Sequence, residues 1–231
     1  MLKLAEELLL LAYNDNGNIV CDSTALSYTL PGALLIELAV LGKVIFEQNK
    51  LVLIDDRFTG DDILDEVVSI IAESSHLRNP QQWVKRLQSQ MQNLRGRLSA
   101  QLIDEGILTA EEERFLWIFK SLRYPTVDAS YKQTIINRIR TAVLEAKSVP
   151  SRTAALISLI GVCQLVNSIF DPSERKEAKQ QIKLIQQDNI ISRGVAATIS
   201  SVQSATTAAI VASIATSSAS SSCSTTSGTC N

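Results

Sequence analysis

Residues 30–46 read LPGALLIELAVLGKVIF, an apolar run that only Glu37 and Lys43 interrupt. A membrane span takes about twenty apolar residues, whereas this run is shorter, carries two opposite charges and contains Pro31, Gly32 and Gly42. It therefore reads as a helix buried inside a protein. Leu35, Ile36, Leu38, Ala39 and Val40 fall on several faces, as in a helix surrounded by partners. The rest of the chain is expected to supply shorter amphipathic helices that wrap it.

With 231 residues, 45% hydrophobic, 20% charged and 5% aromatic, the chain can bury one sizeable aliphatic core. The expected layout is a single domain over residues 1–217 and a disordered Ser/Thr-rich tail over residues 218–231, whose composition cannot order itself by apolar burial. A net charge of −2 excludes a general nucleic-acid binder and leaves room only for a local basic patch. Glu6 and Glu7 stand where a signal peptide would be basic, so no export signal is read. Cys21, Cys163, Cys223 and Cys230 form no CxxC pair, which points to a reducing, cytoplasmic compartment.

Upstream of the run, Leu4, Leu8 and Leu11 share one face of a helix over residues 2–13, and Asn14, Asp15, Asn16 and Gly17 end it in a turn. That turn lacks the glycine position and distal Glu of a calcium loop. Downstream, VIFE (44–47) and LVLI (51–54) suggest a hairpin. Asp61 is a candidate N-cap, and Asp62, Asp65 and Glu66 put negative charge at the positive end of the helix that follows. Capping and solvation account for these carboxylates; a catalytic or metal role is the alternative.

Pro80 opens a helical region in which Trp83, Leu87, Met91, Leu94, Leu98 and Leu102 recur through to Gly106, as one long helix or two joined. Lys85, Arg86, Arg95 and Arg97 lie on its polar side, either as a solvated face or as a patch for anionic headgroups. Residues 107–126 fit a second hairpin, with Phe115, Leu116, Trp117, Ile118 and Phe119 between Arg114, Lys120 and Arg123. The hairpin either packs on the core or presents a tip to a membrane interface or a second subunit. Helical spacing resumes over residues 129–146, 151–170 and 173–187, and a terminal helix is expected over 195–215. The fold class is mainly α: a central helical bundle wrapped by amphipathic helices, with one or two short β-hairpins.

His76 is the one histidine, so a Ser-His-Asp triad is hard to assemble and a multi-histidine metal site cannot form. There is no phosphate-cradling glycine loop, GxSxG or HExxH. No cofactor, metal or catalytic residue is assigned, and an enzyme is disfavoured; its best remaining location would be an acidic cleft around Asp61, Asp65 and Glu66.

In order and spacing, LAEELLLLAYND (4–15), LPGALLIELAVLGKV (30–44), TGDDILDE (59–66), the QQW ending at Trp83, LRGRLSAQLIDEGIL (94–108), the FLWIF-to-YP segment and RTAALISLI (152–160) resemble the Golgi phosphoprotein 3 family. The resemblance implies a mostly α-helical bundle, a β-hairpin used in self-association, and binding of phosphatidylinositol 4-phosphate. In the eukaryotic branch it also implies a peripheral place on the cytosolic Golgi face and retention of glycosyltransferases by their cytosolic tails. The family's headgroup pocket uses a Trp and an Arg ahead of the core helix and two Arg three residues apart on a later helix. Here the first Arg position holds Pro31, the Trp position falls near Asp22, and the paired Arg positions hold Gln92 and Arg95, with Arg97 the nearby basic residue. Gln92, Arg95 and Arg97 are thus the candidate headgroup residues, and Phe115, Trp117 and Phe119 the candidate self-association or membrane hairpin. Two lost guanidinium groups and a repelling Asp22 imply a weakened phosphate site. The absence of the long basic N-terminal extension makes the chain more similar to the shorter prokaryotic members. The rival to a lipid-binding adaptor is a soluble helical module that works by protein contacts alone.

Overall fold

The computed structural model describes residues 2–48, 50–115, 119–145, 148–187 and 206–208. At its centre the apolar run forms the greater part of α2, Ser23–Val40. The helix begins upstream of the expected limit because Asp22 caps it, its carboxylate accepting the Ala25 N–H at 2.7 Å. It also stops short of residue 46. Gly42 takes a left-handed φ of +71°, reversing the chain so that Val44 and Ile45 enter a strand instead. Pro31 therefore sits inside α2, where its missing N–H deprives the Ser27 carbonyl of its helical donor. By length and composition α2 could cross a membrane, but it is mostly buried against α1, Leu4–Ala12, α4, Pro80–Gln90, and α7, Ser151–Val162.

Helices α1, α2 and α7 make the apolar centre, and every residue of α1 is buried, Glu6 and Glu7 included. Around them lie α3, Asp62–Ala72, α4, α5, Leu94–Asp104, α6, Ala129–Leu144, and α9, Arg175–Gln187, with α3 to α6 each burying one stripe of side chains. The region opened by Pro80 is two helices, broken where Asn93 adopts a left-handed φ of 49°. The helix expected over 151–170 is likewise interrupted at Gln164, φ 56°, leaving α7 and the single turn α8, Val166–Ile169. Both hairpins are present. Strands β1, Val44–Glu47, and β2, Lys50–Leu53, pair antiparallel, as do β3, Glu111–Phe115, and β4, Phe119–Arg123. The fold is thus mainly α, with two small two-stranded sheets. Of the terminal helix expected over 195–215, only residues 206–208 are described, and they are helical; the tail at 218–231 lies outside the described residues.

Buried charges tie the N-terminus to distant helices. Arg138 Nη2 meets Glu7 Oε2 at 2.6 Å, Arg152 bonds both Glu37 and the Leu2 carbonyl, and Glu37 Oε2 accepts the Leu4 N–H at 2.8 Å. Burial pushes the Glu6 carboxyl above its ordinary value despite its ion pair with Lys3.

The acidic stretch before α3 is engaged by the protein itself. Asp61 caps α3 through the Ile63 and Leu64 N–H groups at 3.1 and 2.9 Å, and it also meets Lys3 Nζ at 2.5 Å and Gln101 Nε2 at 3.0 Å. Asp65 accepts from the Thr59 N–H and hydroxyl at 2.6 and 2.7 Å. Burial works to raise the Asp61 carboxyl, but the Lys3 ammonium and the Leu64 N–H outweigh it and hold the group below the usual carboxylate range. A carboxyl depressed in the folded state contributes stability that is full above its unfolded pKa and is lost as pH falls through the folded one. Asp61→Asn keeps an N-cap acceptor and removes the charge. In urea unfolding, the stability gap between the wild type and this variant is expected to be widest near neutral pH and to close below about pH 3.9, the ordinary Asp value. A gap that stays constant across that range would show that the ionised carboxylate contributes nothing.

Candidate functional site

The N-terminal half of α2 and the α4–α5 junction enclose a cavity of about 290 Å³. Its apolar floor is Leu26, Leu30, Met91 and Leu94, and its polar wall is Ser23, Ser27, Gln88, Asn93 and Arg95, with Pro31 beside them. Ser23, Ser27 and Pro31 recur every four residues and so share one face of α2.

The opposite wall exists because the α4–α5 helix breaks. Asn93 is the N-cap of α5, but its side chain makes no capping hydrogen bond, and the first helical bond runs from the Arg97 N–H to the Asn93 carbonyl at 3.0 Å. The N–H groups of Leu94, Arg95 and Gly96 are therefore left without helical acceptors at the rim of the cavity. Gly96 leaves room for the Asn93 side chain over the first turn: a Cβ there would lie 2.5 Å from Asn93 Nδ2 and would make that side chain swing away. Arg95 is exposed, and among the described residues no carboxylate pairs with its guanidinium. Among the described residues it is the one charged side chain lining the cavity.

The structure brings together Pro31 and Arg95, two of the positions that the family resemblance aligns, whereas Asp22, the N-cap of α2, does not line the cavity. Gln92 is exposed and does not line the cavity. Arg97 points to α3, where its Nη2 meets Glu66 Oε2 at 2.5 Å. The polar wall residues Ser23, Ser27, Gln88 and Asn93 were absent from the sequence-derived site. The four-residue spacing of the first two would have revealed them had α2 been extended upstream of residue 30.

In the second hairpin, Phe115 and Phe119 are backbone register partners at the end of the strand pair, while Trp117 lies outside the described residues. Leu122 of β4 is 56% exposed. The lone His76 is exposed, with Ser75 Oγ 2.7 Å from its Nδ1. Among the described residues no three His, Cys, Asp or Glu side chains gather into a metal site.

A helical bundle of this order, matched over residues 4–202 by the profile of the family described as Golgi phosphoprotein 3 (GPP34), defines the class: the chain belongs to that family. Among curated proteins it is similar to vacuolar protein sorting-associated protein 74 of Schizosaccharomyces pombe, 31% identical over 176 residues, covering 65% of this chain and 52% of the relative. The chain thus spans about half the length of the curated relative it matches.

Proposed function

We propose that this chain is a peripheral membrane-associated adaptor whose cavity between α2 and the α4–α5 junction takes an anionic phosphate headgroup, with Arg95 as the engaging cation. Family membership supports phosphatidylinositol 4-phosphate as the first headgroup to test. The observation that carries the reading is the unpaired Arg95 guanidinium beside the uncapped first turn of α5. A guanidinium offers a phosphate two parallel donors, and free N–H groups at a helix start favour an anion. The cavity volume of about 290 Å³ lies just below the range of small-ligand pockets, about 300–1,000 Å³, and suits a compact headgroup.

Asp22, the N-cap of α2 next to the lining residue Ser23, puts negative charge near the cavity without lining it, so the affinity is electrostatic and modest. The proposed location is an anionic cytoplasmic membrane surface, the cytosolic Golgi face in a eukaryotic cell. The proposed partners are that surface, a second copy of the chain through the β3–β4 hairpin, and cytosolic tails of membrane proteins; the sorting role in the name of the fission-yeast relative supports the last of these. No catalytic role is assigned.

Sedimentation with phosphatidylcholine vesicles, with and without phosphatidylinositol 4-phosphate, tests the reading. The wild type is expected to co-sediment with the phosphoinositide vesicles at low salt and to be released as salt rises, since an exposed phosphate contact is screened. Arg95→Ala is expected to lower recovery several-fold. Changes at Arg138 or Arg140 are expected to matter less, because those guanidinium groups serve Glu7 and Glu174. If the wild type and Arg95→Ala bind equally at low salt, or neither binds, the protein-contact module replaces the headgroup reading. A specific observation favours that alternative: the principal contacts of β3 and β4 are with each other, leaving exposed Leu122 available to a partner.

A further inference from the structure

The chain leaves α7 through a Schellman turn, in which the Gln164 N–H donates to the Gly161 carbonyl at 3.2 Å and the Leu165 N–H to the Ile160 carbonyl at 3.1 Å. Such a turn holds one residue left-handed, where glycine is usual, and here that residue is Gln164 at φ 56°. An exposed side-chain amide is thereby placed beside α9 at a conformational cost that glycine would avoid.

Helix α9 packs on α7 and α8, with Ala178 and Ile182 on its buried face. Between them lies a cavity of about 480 Å³, inside the range of about 300–1,000 Å³ for small-ligand sites. Its floor is the buried Val166 and Ile182, and its polar lining is Gln164, Asn167, Lys179 and Lys183. The two lysines share a face of α9, one turn and about 6 Å apart along its axis, a spacing at which like charges repel. Among the described residues no carboxylate lines this cavity or pairs with either ammonium group. Glu177, the one carboxylate of α9, lies about 200° round the helix from Lys179, and Asp171 and Glu174 serve Arg140.

We propose that this cavity is a second ligand site and that it takes an organic phosphate. The phosphate sits between the two ammonium groups, the organic part lies against Val166 and Ile182, and the Gln164 and Asn167 amides supply neutral hydrogen bonds. Two unpaired cations select an anion over a neutral or cationic solute. The apolar floor favours an ester over inorganic phosphate. A soluble phosphate ester and a lipid headgroup both present this chemistry. No lining residue is shared with the Arg95 cavity, so the site stands whether or not that cavity takes a headgroup.

The test is lysine acetylation of the full-length chain by an N-hydroxysuccinimide ester, followed by peptide mapping, with exposed Lys50 and Lys85 on other elements as internal references. Phenyl phosphate is expected to slow acetylation of Lys179 and Lys183 several-fold, at concentrations where inorganic phosphate does not, and to leave the references unchanged. Protection of the pair by vesicles of phosphatidic acid in phosphatidylcholine, without protection by phenyl phosphate, assigns the phosphate to a lipid. Equal slowing at all four lysines, or no protection by any probe, would overturn the proposal. Equal protection by inorganic phosphate would overturn the organic part of the ligand.

Two variants follow the same site by isothermal titration calorimetry with phenyl phosphate, or with the vesicles where only those protect. Lys179→Gln with Lys183→Gln changes two exposed side chains, so its melting temperature is expected to stay that of the wild type while affinity falls several-fold. Gln164→Gly is expected to keep or raise the melting temperature, because glycine takes the left-handed φ without penalty, and to weaken binding. Wild-type affinity in the double lysine variant would overturn the proposal. Wild-type affinity in Gln164→Gly would remove that amide from the site.

Discussion

Replacing Arg152 with Ala is expected to lower the free energy of unfolding by about 3–5 kcal/mol, the range for removing one partner of a buried ion pair. Arg152 stands at the start of α7 and reaches across the core to the Glu37 carboxylate and the Leu2 carbonyl, and it approaches Glu7 to 4.0 Å. Glu37 lies within α2 at 6% exposure, and its second oxygen accepts only the Leu4 N–H. Without the guanidinium, a carboxylate in the central helix would be left with one hydrogen bond and no countercharge. A domain is stable by only about 5–15 kcal/mol in total, so this single change is expected to move the urea midpoint far to the left. The double variant Glu37→Gln with Arg152→Met is expected to recover much of the loss, because it removes the charge along with its partner. A loss below about 1 kcal/mol for Arg152→Ala, the value of an exposed pair, would show that the network is not desolvated.

Gly17→Ala is the second large effect, for a steric reason. Gly17 holds φ at +75°, and a Cβ there would lie 2.4 Å from the backbone N and C of Tyr124 and 2.5 Å from the Pro125 nitrogen. The clash is with main chain, which no rotamer change relieves. The turn after α1 is docked on residues 124–126, with the Tyr124 N–H donating to the Gly17 carbonyl and the Thr126 N–H to the Asp15 carbonyl, both at 3.4 Å. The Tyr13 and Tyr124 rings lie 5.5 Å apart beside it. The left-handed conformation alone costs a non-glycine residue roughly 1–2 kcal/mol, and parting the two backbones adds to that. A destabilisation of at least about 2 kcal/mol is expected, together with a change in the near-ultraviolet tyrosine signal. Gly42→Ala is the control: its φ is +71° but its Cβ would meet nothing within 4 Å, so only the conformational penalty applies. Equal losses at the two glycines would show that the turn is not docked on residues 124–126.

Several elements could be read from the chain because local chemistry specifies them. The period of Leu4, Leu8 and Leu11 marks α1, Asp61 caps α3, Pro80 opens α4, and the strand-prone Val44, Ile45 and Phe46 pair as a strand. Each depends on residues within one or two turns of one another, so propensity and spacing suffice. The blocks that resemble Golgi phosphoprotein 3 carried the family for the same reason, since their order lies in the sequence itself.

Other features were decided by packing. Nothing local distinguishes Gln164 as a residue held left-handed, and Asn93, though asparagine tolerates that conformation, is not told apart from other asparagines by its neighbours; the two positions set where α5 begins and α7 ends. Glu7 and Glu37 resemble surface residues until Arg138 and Arg152 arrive from helices more than a hundred residues away. Arg95 and Arg97 look equivalent in LRGR, yet two positions on a helix point about 200° apart. The docking of α3 therefore assigns Arg97 to Glu66 and leaves Arg95 at the cavity. Periodicity and caps are properties of neighbouring residues and survive in the sequence, whereas the partners of a buried charge exist only once the helices have packed.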